Sequence, residues 1–123
     1  MHEYSVTSQV VENVIDKARE QKASKVLEVH LIVGKLTFLG LEQVRFSYEI
    51  LVKGTIMENS KLYIEERDPV VRCTKCGYMG DIKYEDDPVY HFSFPTLSCP
   101  KCGGRVDVVE GRECMIKTVK LVV

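Results

Sequence analysis

Two short cysteine motifs constrain this chain more than any other feature of its sequence. Cys73-Thr74-Lys75-Cys76-Gly77 and Cys99-Pro100-Lys101-Cys102-Gly103 each place two thiols on one tight turn. The glycine that ends each motif adopts positive φ readily, and it lets backbone N–H groups approach the sulfurs. The residues between the motifs leave room for a hairpin that brings the two turns together. We therefore expect the four thiols to converge on one metal ion.

Zinc suits this donor set best, because four thiolates in a tetrahedron leave no open position for water. The predicted zinc ligands are Cys73, Cys76, Cys99 and Cys102. Iron in a rubredoxin-like centre is the main competitor, and it would make the protein an electron carrier. No export signal opens the sequence, which favours reduced, metal-binding cysteines over disulfides. The same observation predicts a cytoplasmic location.

Charge and hydropathy weigh against two classes of partner. The chain has 123 residues and a net charge of −1, whereas proteins that bind a phosphate backbone usually carry a clear basic excess. No segment approaches the roughly 18 consecutive apolar residues that a membrane span needs. We predict neither a nucleic-acid nor a membrane partner. A zinc ribbon that binds proteins or nucleic acid, without any role in nickel chemistry, is the alternative function.

Hydrophobic periodicity outlines a small α+β domain. Apolar residues at helical spacing predict two amphipathic helices, and alternating apolar residues predict strands. The expected elements are a helix over 5–21, a strand over 27–33, a helix from about Leu41 that is ended by Gly54, a strand around 62–64 and a strand over 114–123. In the last strand the apolar positions change phase after Ile116, which predicts a bulge and a change of inward face. The prediction is therefore a sheet of about three strands with two helices.

The sequence pattern changes between Pro69 and Gly111. This stretch contains both cysteine motifs, and its apolar residues show no sustained helical period. We interpret this stretch as a zinc-ribbon-like module inserted between two strands of the α+β domain. The predicted domains are residues 1–68 with 112–123, and residues 69–111.

The amino terminus is a second candidate metal site. The α-amine of Met1, the amide and imidazole nitrogens of His2 and the amide nitrogen of Glu3 can form a square of nitrogens around one metal ion. That geometry suits Ni(II) or Cu(II) and suits zinc poorly. The spacing alone leaves open a solvated histidine with no metal.

The chain resembles the HypA family of hydrogenase and urease nickel-maturation chaperones, and the matching segments run nearly end to end. They are Met1-His2-Glu3-Tyr4-Ser5-Val6, Gly34-Lys35-Leu36, Phe46 with Tyr48-Glu49, Gly54-Thr55, Leu62-Tyr63-Ile64-Glu65, both cysteine motifs and Gly111-Arg112-Glu113. The resemblance implies nickel at Met1, His2 and Glu3, and a structural zinc on the four cysteines. It also implies delivery of nickel to the hydrogenase large subunit, in concert with a HypB-type nucleotide-hydrolysing partner.

No nucleophile elbow, phosphate loop or persuasive pair of carboxylates accompanies these motifs, so the predicted role is metal delivery and not catalysis. Two residues raise separate questions. Cys114 stands where the family usually has an aliphatic residue, and we interpret it as a small core side chain, with a fifth, regulatory thiol as the alternative. His91 stands eight residues before Cys99, in an inter-motif segment that looks archaeal, and we regard it as a possible auxiliary nickel ligand. A plain loop or packed histidine is the alternative there.

Overall fold

The computed structural model describes residues 3–82 and 97–123. The elements in these ranges are α1 (Glu3–Glu20), β1 (Lys25–Gly34), a 3₁₀ turn (Lys35–Thr37), α2 (Leu41–Leu51), β2 (Lys61–Arg67), β3 (Val70–Cys73), β4 (Met79–Gly80), β5 (Val106–Glu110) and β6 (Cys114–Val122). The strands form two three-stranded sheets, ordered β2-β1-β6 and β4-β3-β5. The predicted fold class, an α+β sheet with two helices and a separate zinc-ribbon-like module, is confirmed.

The chain divides into two compact units. One unit comprises Val33–Phe38 and the described part of Glu66–Cys114, and it contains the cysteine motifs. The other comprises residues 3–32, Leu39–Glu65 and Met115–Val123, and it contains both helices.

Helix α1 forms because its buried side chains recur every three to four residues. Val10, Val11, Val14 and Ala18 all lie on its inner face, which packs against α2. Glu3 lies in the first turn and Lys17 in the last, the charge order that complements a helix macrodipole.

Helix α2 is followed by an irregular loop that returns the chain to β2. Met57 in this loop is fully buried, and its backbone N–H donates to Thr55 Oγ1 at 3.0 Å. The Tyr48 hydroxyl on α2 forms a hydrogen bond of 2.5 Å with Ser60 Oγ, at the end of the loop that precedes β2. This bond connects the end of the loop to α2. Burial of the Tyr48 ring raises the pKa of its hydroxyl, although the hydrogen bond to Ser60 opposes that shift.

The first sheet is built around β1, which lies between β2 and β6. The last four residues of β1 are all buried. On β6 the half-buried positions are Cys114 and Ile116 and then Val119 and Leu121. The predicted change of inward face after Ile116 is therefore observed.

Polar pairs occupy part of this sheet. The His30 ring stacks on Tyr63 with ring centroids 4.7 Å apart, and its Nε2 lies 3.4 Å from Glu28 Oε2. Lys117 on β6 reaches Glu65 on β2 at 3.3 Å. Both acidic partners are partly exposed, so these pairs contribute little to stability.

In the cysteine-bearing unit, the segment Gly34-Lys35-Leu36 contacts the segment Gly111-Arg112-Glu113. Gly34 N donates to Glu113 O, and Leu36 N donates to Gly111 O, each at 2.7 Å. A Cβ on Gly34 would lie 2.1 Å from Gly111 O, so the absence of a side chain at Gly34 permits this close backbone approach. Gly111 has φ +114, which L side chains rarely adopt.

We expect Met57→Ala to lower the free energy of unfolding by about 2–5 kcal/mol, because it leaves a cavity in a packed site. Chemical denaturation of the metal-loaded protein, followed by far-ultraviolet circular dichroism, measures this change. Met79 is 58% exposed, and Met79→Ala is the matched control, expected to stay within about 0.5 kcal/mol of the parent. Equal losses in the two variants would contradict the assigned role of Met57.

Candidate metal centre

The first cysteine turn begins at the end of β3. Strand β3 pairs with β4 and β5, and it places Cys73 opposite Val106. Cys73 N donates to Tyr78 O at 2.8 Å, which closes the turn on itself. Gly77 has φ +76, so the positive φ predicted from the motif is observed at the position that needs it.

The second cysteine turn is closed in the same way. Cys99 N donates to Gly104 O, and Gly103 N donates back to Cys99 O, both at 2.9 Å. Gly103 has φ +72. An isolated β-bridge between Ser98 and Arg105 holds the two ends of the turn together.

Residue Arg105 also connects the two turns. Its carbonyl accepts two hydrogen bonds from Thr74, one from the backbone N–H and one from Oγ1, each at 3.3 Å. Sequence spacing did not reveal this link, because any residue after the second turn offers a carbonyl. Only the pairing of β3 with β5 selects Arg105.

The four sulfurs converge on one point. All lie within 4.8 Å of one another, with Cys73 Sγ 3.5 Å from Cys102 Sγ and Cys76 Sγ 3.6 Å from Cys99 Sγ. A zinc tetrathiolate with bonds of about 2.3 Å has sulfurs about 3.8 Å apart. Covalent disulfides are far shorter, at about 2.05 Å, and all five cysteines are free thiols. The predicted convergence is therefore present, and the donor set fits a tetrahedral soft-metal site.

Backbone N–H groups point at the sulfurs. Lys75 N and Cys76 N lie 3.3 and 3.4 Å from Cys73 Sγ, and together they lower the pKa of Cys73 to about 6. Burial raises the pKa of Cys99, but the N–H groups of Cys102 and Lys101 outweigh it, so that this pKa is also lowered. Cys73 and Cys99, the two buried thiols of the cluster, thus both have a lowered pKa, which favours the thiolate form.

The pKa of Cys102 shifts in the opposite direction. The N–H of Gly104 donates to Cys102 Sγ at 3.4 Å and lowers this pKa. The Cys73 thiol, burial and the other two thiols oppose that effect, and the pKa of Cys102 is raised to about 11. In the absence of a metal, four adjacent sulfurs cannot all carry charge, and a divalent cation removes that repulsion.

A lysine in each turn brings positive charge to the site. Lys101 Nζ lies 5.5 Å from the centroid of the Tyr78 ring, within cation–π range. The side chain of Lys75 lies close to Gly104, where an added Cβ would sit 3.1 Å from Lys75 Cδ. Gly104 therefore lets Lys75 lie across the second turn.

The other predicted site residues divide into two groups. Glu3 is described, and its carboxylate accepts a hydrogen bond from Gly40 N at 3.0 Å, a contact that the sequence did not reveal. Met1, His2 and His91 lie outside the described residues, so their roles as nickel ligands stay predictions. Cys114 is not among the converging thiols; its half-buried position on β6 raises its pKa.

Comparison with known proteins identifies the family. A family model described as hydrogenase/urease nickel incorporation, metallochaperone, hypA matches residues 1–121. The chain belongs to the HypA family. The hydrogenase maturation factor HypA of Methanothermobacter thermautotrophicus is 40% identical over 122 residues, which cover 98% of this chain and 97% of that protein. The HypA factor of Methanopyrus kandleri is 39% identical over 132 aligned positions, covering 98% and 93%.

Solved HypA structures share the fold. The solution structure of the nickel metallochaperone HypA from Helicobacter pylori matches with a TM-score of 0.68 and 19% identity, over 99% of this chain and 98% of that one. A second HypA solution structure matches with a TM-score of 0.70 and 19% identity, covering 99% and 97%.

Membership of the HypA family makes this chain a metallochaperone for nickel incorporation into hydrogenase or urease, and not an enzyme. Separately from the family assignment, the four cysteines form a cluster that could hold a metal ion. Neither of the helices in the described ranges is long and apolar enough to cross a membrane.

We expect Cys73→Ser to abolish metal retention at the cluster or weaken it at least about a hundredfold, because it removes a buried thiolate from a four-ligand site. Metal analysis after gel filtration, with chelator competition, measures the change. Cys114→Ser is the matched control and should keep one metal ion per chain. Metal loss in the Cys114 variant, or retention in the Cys73 variant, would contradict the assignment.

The cluster should bind metal more weakly as pH falls, because protons and metal compete for the same sulfurs. With its pKa raised to about 11, Cys102 is protonated near neutral pH in the metal-free protein and must release that proton on binding. We expect the apparent affinity to rise about tenfold or more per pH unit from about pH 6 to pH 9. Competition with a zinc chelator at several pH values measures it. An affinity that does not change over this range would argue against thiolate ligation.

Proposed function

We propose that this HypA family member carries Ni(II) at its amino terminus, holds Zn(II) on the four-cysteine cluster and delivers the nickel to the hydrogenase large subunit. The observation that carries the proposal is family membership over nearly the whole chain, from Met1 to Leu121. The names of the relatives, hydrogenase maturation factors, favour hydrogenase as the recipient. The convergence of the four sulfurs supports the assignment of a separate zinc site.

Zinc has a structural role in this proposal. Four thiolates complete its tetrahedron, so no position is left for a substrate or a transferable ligand. Such a centre would hold together the two turns that carry the cysteines; among the described residues of 69–111, the buried aliphatic side chains are Val71 and Ile82. We keep the domain division at residues 69–111 for this zinc module, with residues 1–68 and 112–123 as the nickel-binding domain.

The nickel ligands are the amine of Met1, the amide and imidazole nitrogens of His2 and the amide nitrogen of Glu3. Helix α1 begins at Glu3, and the first N–H groups of a helix take no part in its internal ladder of hydrogen bonds. Nickel can therefore replace the amide proton of Glu3 without breaking a rung of α1. This feature supports a planar nitrogen site at the start of the helix.

The chemistry of the two sites separates storage from delivery. Soft thiolates hold zinc in a closed site, whereas nitrogen ligands that must lose protons to bind nickel release it when they are protonated again. A HypB-type nucleotide-hydrolysing protein is the proposed partner in nickel insertion, and the hydrogenase large subunit is the recipient. This role places the protein in the cytoplasm.

The test is a titration of Ni(II) into the zinc-loaded protein with a native amino terminus. We expect one nickel ion per chain with a square-planar absorption spectrum, because the ligands are nitrogens in one plane. His2→Ala, and a variant with extra residues before Met1, should both lose this nickel and keep their zinc. His91→Ala examines the auxiliary ligand; unchanged nickel stoichiometry, spectrum and transfer would remove His91 from the site.

Two results would point to other functions. Nickel binding that survives both His2→Ala and the extension would exclude the amino terminus as the site. No nickel binding by the parent would leave a zinc ribbon for protein or nucleic-acid interaction, and salt-dependent binding of oligonucleotides would then separate those two. A red protein with a reversible redox potential would instead indicate iron at the cysteines.

A further inference from the structure

Glu3 makes a long-range contact that the proposed nickel chemistry does not require. Its Oε2 accepts a hydrogen bond from the backbone N–H of Gly40 at 3.0 Å, across 37 positions of sequence. Gly40 is the N-cap of α2, with extended backbone (φ −74°, ψ 111°) and no side chain to cap the helix. A carboxylate at the amino end of a helix is stabilised by the helix dipole. Glu3 thus places a negative charge where α2 favours one.

The main chain of Glu3 is held by a second hydrogen bond, from the next turn of α1. Thr7 Oγ1 donates to Glu3 O at 2.6 Å, and Thr7 is only 2% exposed. The carbonyl and the carboxylate of Glu3 therefore have separate partners, on α1 and at the start of α2. With both groups engaged, the backbone of the first helical residue has a defined position and direction.

From this geometry we propose that Glu3 is a positioning residue for nickel. Its carboxylate remains on the Gly40 amide and holds the Glu3 backbone, and Glu3 itself contributes to nickel through its main-chain nitrogen alone. This inference rests on the proposed nickel site at the amino terminus. A ligand set ordered before the metal arrives binds more tightly, because less conformational entropy is lost on binding.

The side-chain test compares Glu3→Gln with Glu3→Ala in nickel titrations of the zinc-loaded protein. The glutamine carbonyl oxygen accepts from Gly40 N as the carboxylate does, so Glu3→Gln should bind within about threefold of the parent and show the same spectrum. Glu3→Ala loses the contact and should bind nickel about tenfold more weakly, as expected for one charge-assisted hydrogen bond. If Glu3→Gln changes the nickel spectrum, the carboxylate is a metal ligand and the proposal is wrong.

The backbone test compares Gly40→Pro with Gly40→Ala. Proline removes the N–H that Glu3 accepts from, and the φ of −74° at Gly40 is one that proline adopts. Alanine keeps the N–H and adds the same Cβ, which would meet the Gln43 side chain in both variants. We expect Gly40→Pro to weaken nickel binding about tenfold more than Gly40→Ala does. Combining Glu3→Ala with Gly40→Pro should add little, because both remove one contact.

Amide hydrogen exchange without nickel separates this proposal from the function on which it rests. The exchange of the Gly40 amide should be faster in Glu3→Ala than in the parent and unchanged in Glu3→Gln. Equal exchange in all three proteins would show that the contact is absent and would overturn the positioning role, even if the parent binds nickel. A parent that binds no nickel would overturn the proposed function and the nickel role of Glu3 together, whatever the exchange rates.

Discussion

The convergence of four thiols on one metal-sized volume is the constraint on which the cysteine-bearing unit depends. Each sulfur pair comes from a turn closed by its own backbone hydrogen bonds, and the two turns are joined where Thr74 donates to the Arg105 carbonyl. Without a cation, four neighbouring thiols hold some of their protons, as the opposite pKa shifts of Cys73 and Cys102 indicate. A divalent metal removes that conflict, so metal binding and the cohesion of this unit are one equilibrium.

The helical unit is held together by a different interaction. Here cohesion comes from apolar packing, with α1 against α2 and Met57 fully buried in the loop that follows α2. On this scaffold the first turn of α1 is held through Glu3 and Thr7. In the proposed function, the closed thiolate site retains its metal and the nitrogen site at the amino terminus releases its metal.

Sequence patterns predicted the long elements well and the short ones poorly. Both helices and strands β1 and β6 follow apolar periodicity over nine or more residues, and their positions were predicted closely, whereas β2 (Lys61–Arg67) was predicted only around residues 62–64. Strands β3, β4 and β5 have four, two and five residues, too few to establish a period. They exist because Val71 and Arg72 find partners on both neighbouring strands. Such pairing is a property of the folded chain that local sequence does not encode.

The sequence by itself determined the metal chemistry, because ligand type and spacing are local properties. Two thiols on each glycine-ended turn predict a tetrathiolate site, provided that the fold brings the two turns together. Tertiary structure alone decided which distant groups meet: Gly34 against Gly111, Thr74 against Arg105, and the Glu3 carboxylate against the amide of Gly40. A backbone N–H or carbonyl has no signature in the amino-acid sequence, since nearly every residue carries both. Their pairing across the chain is set by the packing of the helices and strands that bear them.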